Sequence, residues 1–242
     1  MKRSTDRILA THVGSLPALD TPGTGEAALS ASLDAVVTKQ RDLGIDIVNE
    51  GEYEMIVKAG FILQVDDAWL PALWDRISMQ MGLDAFRKRC RMRVDALNHA
   101  LANIPKENVR YHLCWGSWHG PHAFDLELRH LVDIMLNVKA QAYLIEGANA
   151  LHEHEYAVWD DVKLPDGKIL VPGFVTHSTD VVEHPELVSQ RIQRYAKRVG
   201  RENVMAGADC GFGGRSHPQI AWAKLRALAE GADRASKILW PR

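Results

Sequence analysis

Short apolar runs alternate with amphipathic stretches along most of this chain, and that alternation restricts its fold more than any other feature. Strand, helix and strand in succession form the pattern of βα units on a parallel sheet. Strands are expected over 7–13, 46–49, 60–65, 109–115, 142–145, 169–174 and 204–208. Helices are expected over 25–43, 83–103, 126–140, 185–199 and 218–239. In the first helical stretch Leu29, Leu33, Val36 and Val37 recur at helical spacing, and Gly44 follows as a stop signal. At 242 residues, one domain spanning 1–242 is a common solution, and no repeat or composition shift marks a second. The expected fold class is α/β, a TIM-type (β/α)8-like barrel. Between 49 and 60 there is room for only about two helical turns, so the barrel reads as short of one βα unit after the second strand. The Trp-rich segment 68–80 reads as a lid or an extra helix.

A barrel of parallel strands gathers all strand C-termini on one rim. Three such ends carry His112-Leu113-Cys114, Ile145-Glu146-Gly147 and Ala208-Asp209-Cys210. Strand side chains alternate with period two, so His112 and Cys114 project to the same side. With Glu146 and Cys210 they offer one imidazole, two thiolates and one carboxylate, a first shell suited to tetrahedral zinc. Asp66 and Asp67 also fall at a strand end, where a site role competes with a helix cap; the site role is favoured for Asp66 and stays open for Asp67. Cys90 lies in a basic, helical context and reads as a spectator.

The charge balance, 29 basic against 31 acidic side chains, favours neither nucleic acid nor an acidic membrane surface. Apolar and charged fractions of 46% and 25% are those of an ordinary soluble protein. Neither a signal peptide nor an apolar stretch of transmembrane length is visible. Three cysteines are too few for a disulfide framework, so a reducing cytoplasm is the expected compartment.

Several motifs follow one another in order: Thr11-His12-Val13-Gly14-Ser15-Leu16-Pro17, Asn49-Glu50-Gly51-Glu52, Gln64-Val65-Asp66-Asp67, the His-x-Cys pair, Ile145-Glu146, His177-Ser178 and Asp209-Cys210-Gly211. In this order they resemble the catalytic domain of the cobalamin-independent methionine synthase family and its short single-domain relatives, epoxyalkane:coenzyme M transferase among them. The resemblance implies zinc held by His112, Cys114, Glu146 and Cys210, and a thiol, homocysteine-like, activated to attack a donor carbon. It implies that His177 shuttles a proton, and that Ser15, Glu52 and Asp66 hold the substrate's polar groups. Glu146 is the ligand expected to loosen as the substrate sulfur enters, because carboxylate is the harder partner.

Epoxide ring opening by a thiol uses the same zinc logic, and a non-catalytic zinc-binding barrel remnant is a further alternative. The donor stays open between a folate, a corrinoid and a small electrophile. A homo-oligomer is possible where a shortened barrel must close. The run Gly211-Phe212-Gly213-Gly214-Arg215 reads first as a turn exposing Cys210, with Arg215 placed to meet an anionic end of a substrate. His119, His122, His152 and His154 read as substrate-loop or surface residues.

Overall fold

The computed structural model describes residues 4–11, 38, 39, 41–43, 57, 60–75, 79–116 and 123–241. Six strands among them form one all-parallel sheet: β1 (Leu9–Ala10), β2 (Leu63–Asp67), β3 (Val109–Leu113), β4 (Ala142–Ile145), β5 (Ile169–Val175) and β6 (Met205–Ala208). Their order is β1-β6-β5-β4-β3-β2. The last strand lies beside the first, as in the cyclic order of a TIM-type barrel. The strand expected at 46–49, the short unit after it and most of the helix expected over 25–43 lie outside the described residues.

Register sorts the side chains into two layers. Leu9, Ala142, Leu144, Ile169, Val171 and Met205 pack together on the concave face of the sheet. Residues between them in sequence, such as Tyr143, Leu170 and Ala206, join the larger core beneath the helices. Because Arg110 pairs with Ala142 and His112 with Leu144, both polar side chains face the barrel interior.

The helices are α1 (Trp69–Leu73), α2 (Leu83–Ala100), α3 (Val132–Leu136), α4 (Val158–Asp161), α5 (Pro185–Val199) and α6 (Pro218–Leu239). In α5, Val188, Ile192, Tyr195, Ala196 and Val199 recur at helical spacing and are all buried. Both long C-terminal helices start with the same device, His followed by Pro. His184 Nδ1 accepts the Glu186 amide and His217 Nδ1 that of Gln219, while the proline fills the first helical position. Gly231 lets α6 approach α5, since a Cβ there would stand 2.4 Å from Val188 Cγ1.

The helix expected over 126–140 is instead a 3₁₀ turn (Leu128–His130) followed by the single-turn α3. Its backbone is claimed from elsewhere: Glu155 Oε1 takes the Leu128 amide and Arg87 donates to the His130 carbonyl. The extra helix expected within 68–80 is α1. Among the described residues, no helix is long and apolar enough to cross a membrane.

Candidate metal centre

Parallel pairing puts the C-terminal ends of all six strands on one rim. The donor atoms of His112, Cys114 and Cys210 meet there, all within 4.8 Å of one another, and all three residues are buried. The two sulfurs are 3.7 Å apart. Neither ring nitrogen of buried His112 reaches a partner in hydrogen-bonding geometry, although Cys210 lies beside it. Burial alone would lower the His112 pKa, but Cys210, Asp66 and Glu146 together raise it.

Each sulfur receives an N–H from the described residues. Gly116, with its amide in a positive-φ turn that suits glycine, donates to Cys114 Sγ at 3.3 Å. Arg215 Nη1 donates to Cys210 Sγ at 3.3 Å and to the Gly211 carbonyl at 3.1 Å.

Glu146 is buried next to this group without joining it. Its carboxylate accepts the Trp115 amide at 3.1 Å and Asn149 Nδ2 at 2.8 Å. Burial first, and the charge of Asp209 second, push its pKa up.

Asp209 anchors Cys210. Its Oδ1 accepts the Gly147 and Ala148 amides at 2.7 and 2.9 Å, and its Oδ2 accepts Asn149 Nδ2 at 3.0 Å. The carboxylate fills the space a side chain would need at Gly173, where a Cβ would come 2.0 Å from Oδ1.

The remaining expected residues divide. Asp66 pairs in register with His112, shares its face and is exposed, with Gln64 Nε2 donating to it at 2.8 Å. His177 is buried two residues beyond β5, outside the three-donor group. Ser15 and Glu52 lie outside the described residues, as do His119 and His122. Asp67 takes the Leu70 amide in the first turn of α1, the Tyr111 hydroxyl and, at 3.7 Å, Arg93; its role is to tie the helix start to the sheet. Cys90 is buried in α2, where desolvation pushes its thiol up to about 11. It is a spectator.

Sequence reading missed Asp209, Asn149 and the interior guanidinium of Arg110, which donates to Thr11 Oγ1 at 2.9 Å. Of the two alternatives for His152, a substrate loop or the surface, burial excludes the surface: the side chain is enclosed in the loop after β4. The available signals were adjacency, Asp209 beside Cys210, and the one-turn spacing of His152 and Glu155.

Among solved structures, the chain is similar to a B12-independent methionine synthase from Shewanella sp. W3-18-1 in complex with selenomethionine. That match has a TM-score of 0.65 at 15% identity and covers 96% of this chain and 99% of the other. A putative vitamin-B12 independent methionine synthase from Listeria monocytogenes matches with a TM-score of 0.48 at 15% identity, over 89% of this chain and 56% of that one, and adds no weight. No family model and no curated protein matches the chain. At these identities the likeness establishes the fold: this is an α/β barrel of the type seen in B12-independent methionine synthase structures.

Proposed function

We propose that the protein is a zinc-dependent transferase that moves a methyl or alkyl group onto the sulfur of a small thiol, homocysteine or a close analogue. The convergence of His112, Cys114 and Cys210 on one buried point of the rim carries this reading. Two thiolates and an imidazole form a soft donor set that suits zinc, and three protein donors leave a position for substrate, as catalytic sites do. The unsatisfied ring nitrogens of His112 fit the same assignment, because a buried imidazole without a partner is costly. The fold shared with a methionine synthase that binds selenomethionine supports the direction of transfer.

Zinc bound there would keep a substrate thiol as thiolate at neutral pH. Glu146 would be the fourth, exchangeable donor, and its carboxylate is held beside the group by the Trp115 amide and Asn149. Asp66, exposed on the His112 face, takes the amino group of the thiol substrate together with Glu52, and Ser15 belongs to the turn that takes its carboxylate. His177 moves a proton to or from the donor. Arg215, exposed beside Cys210, meets the anionic end of the substrate.

Metal content and transfer assays test this together. Wild type is expected to hold one zinc per chain and to methylate homocysteine from a methylated folate or from methylcobalamin. Cys210→Ser is expected to keep its fold and lose both. A folded wild type without metal, or a Cys210→Ser variant of full activity, would overturn the assignment.

A further inference from the structure

His152, Asp125 and Glu155 form a second cluster of buried ionisable groups, outside the metal group. His152 Nδ1 is 2.9 Å from Glu155 Oε2, and its Nε2 faces Asp125 Oδ2 at 3.4 Å. The three side chains are only 3%, 7% and 3% exposed, so water does little to screen them. Glu155 also accepts the Leu128 amide at 2.5 Å. The cluster therefore ties the loop after β4 to the segment arriving at α3.

The ring of Trp115 lies against the His152 ring, with centroids 4.3 Å apart and planes 37° apart. Trp115 is held at two more points: its indole N–H donates to the Leu126 carbonyl at 2.8 Å and its backbone N–H to Glu146 Oε1 at 3.1 Å. Burial by itself would push the His152 pKa down, but the bonds to Asp125 and Glu155 and the charges of Glu146 and Glu155 carry it up to about 10. A cationic ring at neutral pH suits both the carboxylates that flank it and the indole it meets.

We propose that His152, clamped by Asp125 and Glu155, is a positioning residue for the metal group. It fixes Trp115, and Trp115 sets the adjoining Cys114 sulfur and holds the Glu146 carboxylate through its amide. The consequence for metal rests on the function proposed above; the positioning of Trp115 does not. Groups that orient metal ligands typically alter affinity 10–100-fold when removed.

The test uses ¹⁵N-labelled protein and two readouts: amide exchange at Trp115, and metal affinity by chelator competition with the Co²⁺ absorption spectrum. His152→Gln is expected to exchange the Trp115 amide at least about tenfold faster, to bind metal roughly 10–100-fold more weakly and to shift the sulfur-to-Co²⁺ band. Val188→Ala, in the α5–α6 core, serves as a variant of comparable melting loss and is expected to move none of these. If His152→Gln alone does not fold, the charge-balanced pair His152→Gln with Asp125→Asn is read in its place. Wild-type exchange and affinity in the His152 variant, or equal changes in Val188→Ala, would overturn the proposal. A wild type that takes up no metal while Trp115 exchange still responds to His152 would sink the metal reading and leave the positioning role standing.

Discussion

Cys114 and Cys210 arrive at the same point by different routes. Cys114 is placed by the run-out of a strand: it stands one residue past β3 and two past His112, with its amide still donating to the Asp67 carbonyl at the end of β2 at 3.5 Å, so the pair keeps a shared face. Cys210 lies beyond the end of β6, where strand geometry no longer dictates direction. Its place is set by its neighbour Asp209, whose carboxylate is received by two amides of the β4 loop and by Asn149, over a glycine that leaves room for it. One sulfur is local in origin and the other is tertiary. They should fail differently.

Gly173→Ala attacks the tertiary route. The added Cβ would lie 2.0 Å from Asp209 Oδ1 and 2.5 Å from its backbone nitrogen, so the backbone must move. Overpacking of this kind costs about 3 kcal/mol, and more where backbone is displaced, or roughly 6–12 °C in Tm for a chain of this size. Metal content is expected to fall to near zero. The matching insult on the other route is Leu113→Ala, which removes a fully buried side chain from β3 between His112 and Cys114. It should cost a similar 2–5 kcal/mol, yet leave one metal per chain, because the spacing of His112 and Cys114 belongs to the strand. Thermal melts with metal analysis of both variants decide the comparison; equal metal loss would erase the distinction.

Asp209→Asn is a gentler probe of the same anchor. The amide oxygen still accepts from Gly147 and Ala148, but its NH₂ now faces the Asn149 NH₂ across the former hydrogen bond. A loss of about 1–3 kcal/mol is expected from urea denaturation. Part of that loss is offset because the negative charge raising the Glu146 pKa is gone. The same contrast explains what could be read in the sequence. Alternating apolar runs revealed β3 to β6, and strand periodicity paired His112 with Cys114. The broken helix at 126–140 was hidden, because the Glu155 and Arg87 side chains that interrupt it lie 27 and 43 residues away from their targets. The burial of His152 was hidden for the same reason: two carboxylates offset the cost of taking its charge from water, and one of them, Asp125, is 27 positions upstream (152 minus 125).

The pH dependence of stability separates that cluster from the rest. The His152 pKa is raised from the usual value near 6.5 to about 10 in the folded protein, so its contribution is complete below about pH 6.5 and is lost as pH rises through 10. The wild-type Tm is therefore expected to decline by several degrees between pH 7 and 10. In His152→Gln the decline should flatten across that window, and the difference between the two melting curves isolates the cluster. A wild-type Tm that holds level to pH 10 would mean that His152 is neutral in the folded state.

The smallest effect belongs to the N–H groups on the sulfurs, and it too differs between the two routes. Cys114 receives a backbone amide from Gly116, which no substitution other than proline removes, while Cys210 receives the guanidinium of an exposed side chain. Arg215→Met keeps the apolar stem and deletes the charge. Its Tm should stay within about one to two degrees of wild type, because surface substitutions change stability by about 0.5 kcal/mol at most. Metal should bind about tenfold more weakly, at the lower end of what such outer contacts contribute, since a cationic donor stabilises the thiolate form of the sulfur it touches. Arg215→Lys should recover part of that loss, having charge without the fork of donors. If Arg215→Met binds metal as wild type does but raises KM for an anionic thiol, the guanidinium serves the substrate and leaves the sulfur when substrate enters.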